Sequence, residues 1–216
     1  MVTYTVRSVT ESPAGISVSV CIARGGTDEN ESVEYLISPE FWCWGRLAAG
    51  AALNEDDYFR MEHHAAFSRA LARAKSILSY SGHSRADLIS RLRHYGFDDG
   101  ICEETADYAV TEGLVCEDEQ AQHAADTFLR RKYWGRKRIQ AELAARGYPD
   151  GVIRDALDAI PDEEFARTLR LIIVRKYGAP PADPGERQKM VLSLLRLGYT
   201  GSEIKDAIAA VAAAQS

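Results

Sequence analysis

The sequence predicts a mainly α-helical protein, in which a small β-containing N-terminal domain precedes a curved, elongated tandem array of three three-helix, helix-turn-helix-like repeats. Alternating apolar residues stop before about residue 55, and a glycine–aromatic pair then recurs every 51 residues. The formal net charge of −6 lies entirely within residues 1–67, which hold 4 basic and 10 acidic residues. We expect an acidic N-terminal domain followed by three repeats, with the bounds 1–54, 55–115, 116–160 and 161–216.

The N-terminal domain is expected to contain about three strands and one short helix. Apolar and polar residues alternate, as in strands with one buried face, at 2–6, 16–20 and 33–37. The stretch SPEFWCWGRLAAG at 38–50 predicts a helix, with Ser38 as its N-cap and Pro39 in its first turn. Its aromatic residues are interpreted as core: Phe41, Trp42 and Trp44.

The repeat is anchored by three pairs, Gly96-Phe97, Gly147-Tyr148 and Gly198-Tyr199. Apolar residues recur eight before (Leu88, Ile139, Met190), four before (Leu92, Leu143, Leu194) and six after each glycine (Cys102, Ile153, Ile204). This pattern predicts a helix with one buried face, closed by a left-handed glycine and followed by another helix. Asp98 and Thr200 are the predicted N-caps in copies one and three, and Pro149 is placed in the first turn in copy two.

A third helix precedes each of these helix pairs, at roughly 66–80, 118–133 and 162–177. One unit of about 50 residues would bury little surface alone, so neighbouring repeats are expected to share contacts.

Composition and motifs argue against several classes of protein. No apolar run approaches the roughly 18 residues that span a bilayer, and the N-terminus lacks a signal-peptide pattern, so a cytoplasmic protein is expected. The cysteines show no metal-site spacing and are expected to be reduced: Cys21, Cys43, Cys102 and Cys116. Neither a GxSxG elbow nor a phosphate-binding loop is present, and His63-His64 beside Glu62 make a poor metal site, so we expect no enzyme, metal or cofactor.

The densest charge lies in RRKYWGRKR, residues 130–138, where six cations surround two aromatic residues: Arg130, Arg131, Lys132, Arg136, Lys137 and Arg138 around Tyr133 and Trp134. An exposed helix face with an Arg138–Glu142 pair would explain part of this cluster. The last three cations, however, lie in the first turn of a helix, where the helix dipole disfavours positive charge. An anionic partner would favour them, either DNA phosphates, with the aromatic rings stacking on bases, or acidic protein side chains. Core packing is the alternative for the two rings.

Other basic residues extend this pattern to copies one and three: Lys75, Arg85, Arg91, Arg93, Arg175 and Lys176. Stacked repeats could place them on one face with residues 130–138.

Over roughly residues 65–213 the sequence resembles the RecX family of regulators of the RecA recombinase. The resemblance rests on LSYSGHSRADLISRLRHYGFD, on an acidic helix start followed by FLRRKYWGRKRIQAELAARGY, and on LLRLGYTGSEI. It implies a non-enzymatic protein that binds the RecA–single-strand DNA filament and restrains recombination, ATP turnover and repressor cleavage, and so regulates DNA repair and the SOS response. The basic and aromatic residues named above would make the contacts. Family members are often basic overall, whereas this chain is acidic outside the repeats.

Two other functions stay open. A stand-alone helix-turn-helix-like module would bind DNA by itself, although DGVIRDALDAI and GSEIKDAIAAV are poor in base-reading residues. A scaffold would bind only proteins, and its binding would be insensitive to salt. We expect a monomer.

Overall fold

The structure is a computed structural model that describes residues 2–13, 15–24, 30–38 and 48–214. Most of the helix predicted at 38–50, with its three aromatic residues, lies outside the described residues. The prediction of a mainly helical chain with a small N-terminal sheet is confirmed. None of the helices in the described ranges is long and apolar enough to cross a membrane.

Four antiparallel strands form the N-terminal sheet in the order β3-β2-β1-β4: β1 (Val2–Ser12), β2 (Gly15–Arg24), β3 (Asn30–Ile37) and β4 (Ala52–Leu53). Only three strands were predicted, because the two residues of β4 are too few to show an alternating pattern. Val20 lies opposite Val6 on one neighbour and Val33 on the other, and Val20 is fully buried. One face of the sheet therefore forms a core.

Helix α1 (Glu55–Leu78) packs on this sheet and begins 11 residues before the predicted start at 66. Asn54 caps it by accepting a hydrogen bond from the backbone N–H of Asp57. The ring of Tyr58 stacks on Tyr4 with centroids 4.0 Å apart, and its hydroxyl lies 2.7 Å from that of Tyr35. The first turns of α1 thus belong to the core of the sheet, which explains why the repeat pattern did not predict them.

The remaining helices complete three consecutive groups of three: α2 (Arg85–His94) and α3 (Asp99–Thr111) after α1; α4 (Glu117–Lys132), α5 (Arg136–Ala145) and α6 (Asp150–Asp158); α7 (Asp162–Tyr177), α8 (Pro184–Arg196) and α9 (Gly201–Ala213). Within each group the first and third helices pack on each other. The chain divides into two compact units, one of Met1–Ser81 with Leu88–Leu114 and the other of Gly82–Asp87 with Val115–Ser216.

The glycine corners confirm the local predictions. Gly96, Gly147 and Gly198 have φ angles of +83°, +79° and +94°, and all nine apolar positions predicted around them are buried. Asp98 caps α3, and Thr200 forms a capping box at α9. Pro149 occupies the N-cap position of α6 rather than its first turn. Its extended backbone conformation fits the position before the helix, although it provides no side-chain cap.

Candidate nucleic-acid and protein interface

The basic cluster surrounds the turn between α4 and α5, and we name residues 130–138 the basic corner. Tyr133 ends α4 with a φ of 56°, and it is the single non-glycine residue with a positive φ in the part of the chain that the structure describes. Left-handed geometry costs an L-residue about 1–2 kcal/mol. The surrounding contacts must therefore hold this turn in place.

Contacts with the third repeat hold the basic corner. The hydroxyl of Tyr199 donates a hydrogen bond to the carbonyl oxygen of Tyr133 at 3.2 Å. The backbone N–H of Gly135 donates to the carbonyl oxygen of Leu197 at 2.7 Å. A Cβ on Gly135 would lie 2.6 Å from the carbonyl oxygen of Gly198, so only glycine allows this close approach of the two backbones.

The same kind of joint occurs one repeat earlier, within the same unit. Ser84 Oγ donates to the carbonyl oxygen of Arg146 at 2.6 Å, and these residues lie 51 positions before Gly135 and Leu197, which form the equivalent bond. A Cβ on Gly147 would lie 2.7 Å from that of Ala86. The start of one repeat's second helix thus contacts the glycine corner of the next repeat. Sequence reasoning did not assign this role to Ser84, although the 51-residue spacing is a signal for it.

An aromatic pair lies beneath the cations of the basic corner. The rings of Trp134 and Phe128 have centroids 4.9 Å apart. Lys132 Nζ lies 4.5 Å from the Trp134 centroid, and the Arg138 guanidinium lies 4.3 Å from it. Each such contact is worth roughly 0.5–1 kcal/mol at an exposed site. Trp134 is half-buried: it packs against the core and is also partly exposed, so both predicted alternatives apply in part.

Two cations of the basic corner are paired with acids. Arg136 donates from Nη1 to the carbonyl oxygen of Leu157 at 2.9 Å and from Nη2 to Asp162 at 2.6 Å. Arg130 donates from Nε to Asp126 at 2.6 Å. The hydrogen bond to this carboxylate raises the pKa of Arg130. Both residues therefore contribute to the structure of the fold.

The predicted Arg138–Glu142 pair is wrong. Arg138 Nη1 donates to the carbonyl oxygen of Arg196 at 3.1 Å, whereas Glu142 pairs with Arg146 at 3.0 Å. The last carbonyls of a helix lack partners within the helix, and the C-terminal end of a helix attracts cations. The end of α8 therefore holds the Arg138 side chain in place of a neighbour on α5.

Arg131 and Lys137 are the cations most available to a partner. Both are exposed, and within the described ranges neither side chain forms an ion pair or a hydrogen bond. Lys132 is also exposed and keeps its charge above the Trp134 ring. The basic corner thus presents three solvent-facing cations on a turn that other contacts hold in place.

Of the basic pair Arg175 and Lys176 in the third repeat, one residue lies beside the basic corner. Arg175 Nη1 donates to the hydroxyl of Tyr133 at 3.1 Å, which places Arg175 beside the basic corner. Lys176 Nζ instead lies 3.2 Å from Ser193 Oγ on α8. The half-buried Arg85 is fixed through its backbone, which donates to Glu117.

The N-terminal unit carries three further basic residues of the predicted set: Lys75, Arg91 and Arg93. Lys75 and Arg91 are exposed. Arg93 pairs with Asp99 at 2.7 Å and with Glu103 at 3.6 Å, and its hydrogen bond with Asp99 raises the pKa of Arg93. Their alignment with the basic corner stays a prediction.

The described residues contain no group of three or more His, Cys, Asp and Glu side chains that could hold a metal ion. Among the described residues, Cys21 and Cys102 form no disulfide, and burial raises the pKa of the Cys102 thiol. Cys43 lies outside the described residues.

Fold and site together define a tandem three-helix-repeat protein with an ordered cationic surface. The chain is 28% identical over 150 residues to the regulatory protein RecX of Chlorobaculum tepidum. This match covers 69% of this chain and 92% of that protein. The chain is also 31% identical over 137 residues to the regulatory protein RecX of Leptothrix cholodnii. This second match covers 63% of this chain and 85% of that protein. The chain therefore belongs to the RecX family of regulatory proteins.

Solved structures share the fold. A crystal structure of a regulatory protein RecX superimposes with a TM-score of 0.70 at 18% identity and covers 94% of this chain and 99% of its own. The crystal structure of RecX from Lactobacillus salivarius superimposes with a TM-score of 0.62 at 20% identity. It covers 68% of this chain and 96% of its own. No protein-family model matches the chain.

Proposed function

We propose that this protein binds the RecA–single-strand DNA filament through the basic corner and restrains the recombinase, ATPase and coprotease activities of RecA. In this way it would regulate DNA repair and the SOS response in the cytoplasm. The three repeats would act together as a monomeric binding array, and the acidic N-terminal domain would not contact phosphates.

The observation that carries the proposal is the pair of partnerless cations, Arg131 and Lys137, on a turn whose backbone is fixed. The first turn of α5 contains three basic residues and no acid. Each cation there is disfavoured by roughly 0.3–1 kcal/mol when exposed. An anionic partner would compensate for this cost, because phosphates and carboxylates both accept hydrogen bonds from Arg and Lys.

The comparisons support the same direction. The relatives named above are called regulatory proteins, and their similarity extends over 69% and 63% of this chain. A filament of protein and single-strand DNA offers both kinds of anion. The half-buried Trp134 leaves part of its ring for stacking on an unpaired base.

Single-strand-DNA-dependent ATP hydrolysis by RecA, measured with this protein titrated in, tests the proposal. We expect inhibition by the wild type at less than one protein per recombinase. Combining Arg131→Ala with Lys137→Ala should weaken inhibition by about tenfold and reduce the salt dependence of binding, because two contacts to anions are lost.

The matched control is Arg154→Ala combined with Lys205→Ala, which removes two exposed cations from other parts of the same unit. This control should inhibit like the wild type. Equal loss in both double variants would show that only net charge matters. If the wild type has no effect in stoichiometric excess, the proposal is wrong. Binding to free DNA alone would then favour the stand-alone DNA-binding module, and salt-insensitive binding to proteins would favour the scaffold.

A further inference from the structure

A groove of about 470 Å³ lies between α7 and α9 of the third repeat. Its floor is apolar, and Phe165, Leu169 and Ala207 in it are all at least 96% buried. The space exists because α9 presents small side chains, Ala207 and Ala210, toward this gap. The volume falls within the range of roughly 300–1,000 Å³ that is usual for ligand sites.

The rim of the groove is acidic. It carries Asp162, Glu203 and Asp206, and the single cation among its lining residues, Arg170, is paired with Glu163 at 2.5 Å. Two of these acids already have partners. Glu203 completes the capping box of α9, and Asp162 accepts from the basic corner.

Asp206 differs from the other acids of the rim. It is exposed, and the described residues offer its carboxylate no ion pair or hydrogen bond. A ligand in the groove would therefore meet the half-buried Ala166 and the exposed Ala210 beside the buried apolar floor, and an unpaired negative charge at the edge.

We propose that this groove binds an amphipathic helical segment of a protein partner, with aliphatic side chains on the floor and Lys or Arg beside Asp206. Helices commonly bind through apolar residues at i and i+4 in a groove between two other helices. The acidic rim would repel the phosphates of nucleic acid and of anionic lipid, so charge complementarity favours a basic protein segment. The groove and the basic corner therefore bind chemically opposite surfaces. The inference does not depend on what the basic corner binds.

Fluorescence anisotropy of a labelled synthetic helix, with leucines at i and i+4 flanked by lysines, tests this inference on the full chain. We expect the wild type to bind this peptide and to bind a matched peptide with glutamates in place of lysines much more weakly. Asp206→Lys should weaken binding by about tenfold, because it reverses the charge at the rim. Ala210→Trp, at an exposed position, should abolish binding because it fills the groove.

The control is Asp155→Lys, which makes the same charge change at an exposed position 51 residues earlier. It should bind the lysine peptide like the wild type. Equal weakening by Asp206→Lys and Asp155→Lys would overturn the inference, as would equal binding of both peptides. Hydrogen exchange gives a second test. Arg175 of α7 lies beside the basic corner, so only protection of the 206–210 segment of α9 by a single-strand oligonucleotide would make the groove a nucleic-acid site and would also overturn the proposal.

Discussion

The hydroxyl of Tyr199 donates a hydrogen bond to the carbonyl oxygen of Tyr133, and this bond joins the glycine corner of the third repeat to the basic corner of the second. Tyr199 is 2% exposed, so its side chain has almost no contact with water. Because Tyr133 has a left-handed backbone, the bond also stabilises an unfavourable turn.

Tyr199→Phe should lower the free energy of unfolding by about 1 kcal/mol, since it removes this bond and leaves a partly buried carbonyl without its donor. Urea unfolding followed by circular dichroism measures the change. Tyr148→Phe is the control, because Tyr148 is buried at the equivalent position and makes no hydroxyl bond of this kind to a described residue. A smaller loss in Tyr199→Phe than in Tyr148→Phe would contradict the role of the bond.

Gly198→Ala should destabilise the protein more than Gly96→Ala. Both glycines have similar positive φ angles, so both substitutions incur a backbone cost of about 1–2 kcal/mol. A Cβ on Gly198 would lie 2.5 Å from the Cβ of Arg138, whereas no described residue lies within 4 Å of a Cβ on Gly96. The clash should add about 1–3 kcal/mol, measured as the difference between the two variants in urea. Equal costs would mean that the joint opens freely.

Lys137→Glu should make the protein more stable and less active. Lys137 lies in the first turn of α5, where an acid gains roughly 0.3–1 kcal/mol from the helix dipole. The same change reverses a charge that we propose contacts the filament, so inhibition of RecA ATP hydrolysis should weaken. Lys205→Glu, which lies further along α9, is the charge-matched control and should change neither quantity appreciably. Loss of stability in Lys137→Glu would show that the cation has a structural role.

Stability should fall at alkaline pH. Burial raises the pKa of the Tyr199 hydroxyl, and burial together with a hydrogen bond to Tyr58 raises that of Tyr35. In the unfolded chain both phenols ionise near pH 10, whereas in the folded protein they keep their protons to higher pH. The folded state then binds more protons, so the free energy of unfolding decreases as pH rises above about 10 and is unaffected below it.

Urea titrations at a series of pH values between about 8 and 11 measure this slope. Tyr199→Phe should reduce the slope, because it removes one of the two phenols whose pKa is raised by folding. A slope unaffected by Tyr199→Phe would contradict the assignment.

Local chemistry made the glycine corners predictable from the sequence. The left-handed glycine and the apolar residues four and eight positions before it all belong to one helix and its end. The pattern around Gly198 therefore predicts the corner without any knowledge of tertiary contacts. The start of α1 was missed because Tyr58 and Met61 face the sheet, which has a different periodicity from the repeats. The family and the mainly helical class followed from the repeated pattern and from the resemblance of its motifs.

The basic corner was predictable as a charge cluster. Which of its cations bind other parts of the fold and which face solvent was not predictable. Arg136 and Arg138 reach carbonyls that lie 21 and 58 positions away in the chain, and no spacing rule within one helix indicates such contacts. The left-handed Tyr133 was equally hidden, since an L-residue at that position is held by tertiary contacts rather than by its own preference. The groove between α7 and α9 arises from small alanines, which look like ordinary helix formers in sequence.

The joint between Gly135 and Leu197 also sets an order of events during synthesis. The two residues are 62 positions apart, and a ribosome adding about 5–20 residues per second needs roughly 3–12 s to make the second after the first. For most of this interval the nascent chain already carries all six cations, while the carbonyl of Leu197 and the hydroxyl of Tyr199 that fix their turn do not yet exist. A stalled or truncated chain that ends between Arg138 and Leu197 would therefore carry the six cations of the basic corner without the contacts that fix their turn.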